Sequence, residues 1–304
     1  MPCLLVVTML SLAALDTDAL VARLEALIKG SAAGETRPPS RPTPEVGLSV
    51  LQLDGQATVA IQPDTSFHAA STMKLPVMIE LFRQAEAGLL RLDDQLAIRN
   101  EFHSIVDGSV YTMDVSEDSD AEVYKAIGRT MPLRDLNEAM ITVSSNFAAN
   151  LLIERLGAKN VQQTVDRLGG KGVVVLRGVE DQKAYDKGLN NTTTARGLAV
   201  LLQKLAAGKA VSARADAEMI EVLKRQKFRD AIPAGLPPGT PVAHKTGTIT
   251  RIHHDAAIVY GPKPYVLVIL VRGIPDQKQS AALMAAISRE VWAEIGKAPR
   301  GPRQ

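Results

Sequence analysis

The sequence predicts an α/β (α+β) fold: an antiparallel five-stranded sheet flanked by helices, with an all-helical part inserted into it. Three observations predict it. Strand patterns occur near both ends of the chain, two early and three after residue 240. The stretch between them, from Ser71 to about residue 225, has helical periodicity. A last amphipathic helix follows the final strand, so the sheet has a helix to pack against.

The elements follow in order. Residues 16–30 (DTDALVARLEALIKG) read as an amphipathic helix with Leu20, Leu24 and Leu27 on one face and Gly30 closing it. The Pro/Ser/Gly-rich stretch SAAGETRPPSRPTPE reads as a linker. VGLSVLQLDGQATVAIQ reads as two strands joined by Asp54-Gly55, a hairpin signal. In the helical part, Leu75, Met78, Leu81, Phe82 and Leu89 mark one face. PLRDLNEAMITV and FAANLLIERLG form a pair interrupted by SSN, and TTTARGLAVLLQKLAAG is a helix with threonines as cap candidates. Two long irregular stretches, about 100–122 and 172–191, have the length at which loops are often functional. HKTGTIT, DAAIVYG and PYVLVILVRG are three strands, and DQKQSAALMAAISREVWAEI is the closing helix. The organisation expected is 16–70 plus 226–300 as an α/β part and 71–225 as a helical part.

Composition narrows the function. With 304 residues, 46% of them hydrophobic, the chain can bury a large core. Its formal charge of +2 leaves no basic stripe for a phosphate backbone, so nucleic acid is not expected as a partner. Cys3 is the sole cysteine, and His68, His103, His244, His253 and His254 show no metal-ligand spacing, so neither a metal nor another cofactor is expected. Residues 1–15 hold an apolar run of signal-peptide length but lack a basic start and a clear A-x-A site; the expectation is an exported, periplasmic or secreted protein. No other run reaches the length of a membrane span, so stable membrane insertion is not expected, and a monomer is the default.

Ser71 and Lys74 stand three residues apart at the entrance to an apolar helix, in HAASTMKLPV. That spacing points a hydroxyl and an amine into the same space. The serine becomes a nucleophile if the lysine is neutral and takes its proton, which requires burial or a second cation to depress the lysine pKa. Taken alone, the pair reads as an N-cap and a surface lysine. Pro76, lacking an N–H, should distort the first turn. Two further stretches change this: Ser144-Ser145-Asn146 in VSSNFAANLLI, and Lys245-Thr246-Gly247 in HKTGT. The order SxxK, SxN, KTG is that of the penicillin-recognising serine enzymes. FHAASTMKLPVM, VSSNFAANLLIERLG and NNTTTARGLAVLL resemble their counterparts in class A β-lactamases, and the resemblance runs from about residue 45 to 296.

The resemblance implies a β-lactamase/transpeptidase-like fold, an active site in the cleft between the two parts, and a role for each motif residue. Ser71 is then the acylated nucleophile, Lys74 its base, and Ser144 the proton relay to the leaving nitrogen. Asn146 binds the substrate amide or Lys74. Lys245, Thr246 and Gly247 form the carboxylate-binding strand, and the N–H groups of Ser71 and Thr248 form the oxyanion hole. Arg251, near the next turn, is a candidate carboxylate partner. Glu180 is the candidate deacylation base, with Asp181 and Asp186 as competing acids. The pattern also departs from class A. Ser145 replaces the middle aspartate of S-D-N, Ala184 replaces the asparagine that helps hold the water, and Asn190-Asn191 stand where an acid would close the loop neck. Phe102 or Tyr111 is expected to wall the cleft. His253-His254-Asp255 reads as a turn capped by Asp255. The substrate implied is a small-molecule β-lactam, hydrolysed through an acyl-enzyme on Ser71. The alternatives are a D-Ala-D-Ala peptidase or esterase, and a penicillin sensor that stays acylated.

Overall fold

The computed structural model describes residues 17–33, 44–53 and 58–296. The leader 1–15, the Asp54-Gly55 turn and the basic tail lie outside the described residues. The sheet is made of β1 (Glu45–Gln52), β2 (Thr58–Ile61), β3 (Val242–Ile249), β4 (Ile252–Val259) and β5 (Tyr265–Arg272). Its order is β2-β1-β5-β4-β3, and every neighbouring pair is antiparallel. The early strands therefore join the late ones through β1 and β5, with Glu45 opposite Arg272 and Gln52 opposite Tyr265.

Both faces of the sheet are buried. On one side Leu267, Ile269 and Tyr265 meet α1 (Thr17–Ala33) and α9 (Gln277–Ile295) through Leu20, Leu24, Met284, Ile287 and Val291. On the other, Val266, Val268 and Leu270 join the core of the helical segment, where α7 (Ala195–Ala206) packs on β1, β4 and β5. A strand covered on both faces loses alternation and reads as a continuous apolar run, which is why YVLVILV looks as it does.

Two expectations are corrected here. Gly30 does not end α1, which continues to Ala33. The His253-His254-Asp255 turn is instead part of β4, and all three side chains are buried. Asp255 caps no turn: it holds His244 Nδ1 at 2.9 Å across the strands and accepts the Ile232 N–H at 3.1 Å.

At the centre of the helical segment lies α2 (Lys74–Glu86), buried on every side from Lys74 to Phe82. Around it stand α3 (Leu133–Thr142), α4 (Asn146–Leu156), α5 (Ala158–Leu168) and α8 (Ala213–Lys224). A short α6 (Gln182–Asp186) lies in the second irregular stretch. Pro76 is accommodated as the third residue of α2, where an N–H has no intrahelical partner anyway. A 3₁₀ turn, Ala70–Met73, precedes the helix and carries Ser71.

Candidate active site

The Ser71 turn is set by its neighbours. Phe67–His68 pairs with Thr192–Thr193, and the Ala70 N–H donates to His68 Nδ1 at 3.0 Å. Ala70 itself takes a left-handed φ of 44°, unusual for a residue with a side chain. The turn lays Ser71 against β3. A Cβ on Gly247 would stand 3.0 Å from both the Ser71 and Thr72 nitrogens, so only glycine lets the strand approach this closely.

Lys74 is fully buried and surrounded by acceptors. Its Nζ donates to Ser71 Oγ at 3.0 Å, Ser144 O at 2.6 Å and Asn146 Oδ1 at 2.7 Å, and lies 3.3 Å from Ser144 Oγ. Burial pulls its pKa down from 10.5 to about 7, against the opposing pull of Asp118 and Glu180. Lys245, fully buried on β3, donates to Ser144 Oγ at 2.9 Å and to the Thr246 carbonyl at 2.9 Å. Burial, then the nearby Lys74, hold its pKa well below the ordinary lysine value. Ser144 thus sits between the two lysine side chains. It occupies the break between α3 and α4 with a φ of 61°. That left-handed residue turns both its carbonyl and its hydroxyl toward the lysines.

Asn146, the first residue of α4, bridges Lys74 to the loop. Its Oδ1 accepts from Lys74, and its Nδ2 donates to Glu180 Oε1 at 3.0 Å. Glu180 is exposed to the cleft, and partial desolvation there raises its pKa. Its competitors are otherwise engaged. Asp181 caps α6 and accepts from Ser104 Oγ, the Ile105 N–H and the Ala184 N–H. Asp186 accepts from Gln182 on an exposed surface. Ala184 is fully buried and has no polar side-chain atom to offer a water. At the loop neck, Arg177 donates to the carbonyls of Leu189 and Gly178 and, at 3.2 Å, to Asn190 Oδ1. Neutral acceptors thus close the neck.

The cleft has two lobes, both reaching Ser71. One, of about 470 Å³, is lined by Ser144, Thr246, Gly247, Thr248, Arg229 and His253 among others. The second, of about 500 Å³, is lined by Asn146, Glu180, Arg177, His68 and Thr248. The structure therefore brings together Ser71, Lys74, Ser144, Asn146, Glu180, Lys245, Thr246, Gly247 and Thr248. Arg251 stands apart: its Nη2 donates to the Gly273 carbonyl at 3.1 Å in the β3–β4 turn, and it lines neither lobe. Phe102 and Tyr111 do not wall the cleft either. Their rings pack together, Phe102 also meets Phe147, and the Tyr111 hydroxyl donates to the Val179 carbonyl. Glu117 lines both lobes in their stead.

Sequence reasoning missed Glu117, His253, Arg229 and Asp118. His253 lies opposite Thr248 on adjacent strands, a pairing hidden by the reading of 253–255 as a turn. Among the described residues, no cluster of three or more His, Cys, Asp or Glu side chains could hold a metal ion, and no helix is long and apolar enough to cross a membrane.

A buried lysine on the serine hydroxyl, a second one across the cleft and a carboxylate tied in through an asparagine define a serine hydrolase. The chain matches the model of the β-lactamase enzyme family over residues 38–295 and belongs to that family. It is 27% identical to the β-lactamase of Bacillus licheniformis over 265 residues, 83% of this chain and 79% of that one. Among solved structures it is similar to a point mutant of PBP-A, an acyl-enzyme complex with penicillin G, at 27% identity and a TM-score of 0.75, covering 90% of this chain and 97% of that one. It is likewise similar to the ancestral GNCA class A β-lactamase, at 25% identity and a TM-score of 0.75, covering 90% and 99%. The class A resemblance read in the three motifs thus holds for fold and family.

Proposed function

We propose that this protein hydrolyses the amide bond of β-lactam antibiotics through an acyl-enzyme on Ser71, in the cleft between the sheet-bearing part (16–70 with 226–300) and the helical part (71–225). The observation that carries the reading is Lys74, buried, 3.0 Å from the Ser71 hydroxyl and with a pKa near 7. A neutral Lys74 has a lone pair for the serine proton, so Ser71 Oγ can attack the lactam carbonyl. The Ser71 and Thr248 N–H groups stabilise the oxyanion. As the carbon–nitrogen bond breaks, Ser144 passes its proton to the leaving nitrogen and is reprotonated from the lysines at 2.9–3.3 Å. Lys245 and Thr246 receive the substrate carboxylate, and the Arg229–His253 wall takes the assisting place for which Arg251 was the candidate.

For deacylation, Glu180 takes a proton from a water that attacks the ester carbonyl, and Ser71 Oγ leaves with a proton returned to it. Asn146 keeps the Glu180 carboxylate against the site. Export to the periplasm or beyond, and a role in antibiotic resistance, follow from this chemistry as part of the proposal.

Ala184 favours a second reading. With no amide there to hold a water, deacylation slows, and the protein behaves as a penicillin-binding protein that stays acylated. Intact-protein mass after mixing with a penicillin separates the two. An adduct that forms and clears within seconds supports hydrolysis, and one that persists for many minutes supports the second reading. No adduct, or one retained by Ser71→Ala, overturns both. Glu180→Ala should acylate normally and accumulate the adduct; normal turnover in that variant removes Glu180 from the mechanism.

A further inference from the structure

The middle position of the SxN motif is Ser145, a short neutral side chain. Its hydroxyl reaches one N–H of α4, that of Ala148, at 3.2 Å. The start of α4 presents further free N–H groups and the positive end of the helix dipole. A carboxylate from elsewhere meets them. Asp118, in the irregular stretch before α3, accepts the Asn146 N–H on Oδ1 at 2.9 Å and the Phe147 N–H on Oδ2 at 2.8 Å. Its neighbour Ser119 donates to the Val143 carbonyl at 2.7 Å on the far side of the same break. Two consecutive loop residues thus brace the Val143–Phe147 turn from both ends. Between these braces lies Ser144, in its left-handed conformation.

We propose that Asp118 is a positioning residue for the active site, supplying from the loop the carboxylate that holds the Ser144–Asn146 turn in register with Lys74 and Lys245. The inference rests on the acylation chemistry proposed above. Asp118 touches neither Ser71 nor a lysine; it acts through the turn. The geometry explains why one residue matters here. Ser144 gives Lys74 its carbonyl and Lys245 its hydroxyl, and Asn146 gives Lys74 its amide oxygen. A tilt of α4 therefore moves three of the contacts of the catalytic lysines together. Replacing the carboxylate by an amide leaves one acceptor and turns a donor toward a second donor.

The charge also has a separate readout. The charged groups that act on Lys74 are Asp118 and Glu180 from the loops, and Lys74 in turn lowers the pKa of Lys245 on β3. Tyr124 and Glu180 also feel the Asp118 charge. Removing the Asp118 charge leaves the Lys74 ammonium less favoured, so the acid limb of Ser71 acylation should move to lower pH.

The test is the rate of Ser71 acylation by a penicillin, followed by intact-protein mass from pH 5 to 9, in the unaltered protein, Asp118→Asn and Asp118→Asn/Ser145→Asp. The expected result for Asp118→Asn is a rate at pH 8 lower by about tenfold to a hundredfold, as for a misplaced catalytic group, with the acid limb at lower pH. The double variant, with a carboxylate restored at the α4 N-terminus, should recover most of the rate. If Asp118→Asn does not fold, the double variant carries the test: acylation near the unaltered rate supports the proposal. An unchanged rate and pH limb in Asp118→Asn overturn it. So does a folded double variant as slow as Asp118→Asn, or, where that single variant does not fold, one well below the unaltered rate. Failure of the unaltered protein to acylate defeats the parent reading instead, so the two failures are told apart.

Discussion

Lys74→Met exchanges the proposed base for an uncharged chain of similar length, and its effect on stability can be worked from the structure. Lys74 is fully buried and its pKa falls from 10.5 to about 7 on folding. A tenfold difference in proton affinity is worth about 1.4 kcal/mol, so holding this lysine charged inside the fold costs about 5 kcal/mol. The sign follows from proton counts. Below pH 7 the lysine is protonated in both states, and the folded state bears the whole cost. Between pH 7 and 10.5 the unfolded chain binds a proton that the folded one has released, so stability rises with pH. At pH 9 the remaining cost is about 2 kcal/mol. Lys74 therefore makes the unaltered protein about 3 kcal/mol more stable at pH 9 than at pH 6. The methionine variant lacks this gain. Its lysine partner Lys245, relieved of a neighbouring cation, flattens its pH dependence further. Urea unfolding of both proteins at pH 6 and pH 9 is the assay. The stability of the variant relative to the unaltered protein should drop by about 3 kcal/mol or more between the two pH values. A difference that does not change with pH would refute the claim that Lys74 is neutral near pH 7, and with it the basis for its acting as a base.

Three further outcomes are expected. Gly247→Ala places a Cβ 3.0 Å from the Ser71 and Thr72 nitrogens, so β3 or the Ser71 turn must shift; acylation should fall by about a hundredfold, read by adduct mass, with the far-ultraviolet circular dichroism unchanged. Asn190→Asp gives the Arg177 guanidinium a carboxylate in place of an amide oxygen at 3.2 Å. The loop carrying Glu180 should gain about 1 kcal/mol, seen as slower hydrogen exchange at residues 177–190. His253→Ala opens the wall beside Thr246 and Thr248. It should raise KM for a penicillin by about tenfold while kcat changes less, as when binding common to ground and transition states is lost.

The sequence carries its motifs as local strings and its loops as distances it cannot measure. SxxK, SxN and KTG each lie on a regular element or at its end, so their elements were legible from periodicity, while the roles of their side chains came from the family resemblance. The three late strands and the closing helix were legible for the same reason. His253 and His254 were misread because β4 is covered on both faces and shows no alternation to overrule two polar residues. Gly30 was read as a stop, although α1 is held past it by packing on α9. Asp118 was invisible, since its partners lie 28 and 29 residues away and nothing local fixes an irregular loop. Phe102 and Tyr111 had the right chemistry for a cleft wall, but the core beneath the loop claimed both rings. Arg251 has a left-handed φ of 61° in its turn and its guanidinium is held by the Gly273 carbonyl, which nothing local in the sequence announced.

The pairing of β1 with β5 sets the order in which this protein can mature. Glu45 and Arg272 are joined by an ion pair across 227 residues of sequence. Closing so long a loop costs entropy before the strand ladder repays it, so the sheet is expected to assemble slowly. While β1 and β2 wait for the later strands, their unpaired edges are open to other chains. Ser71 and Lys74 are made early, but Lys245 and the strand that faces them arrive only with β3. On the proposed mechanism, acylation therefore reports the completion of folding itself: a chain arrested before its last three strands has Ser71 but no Lys245 opposite it.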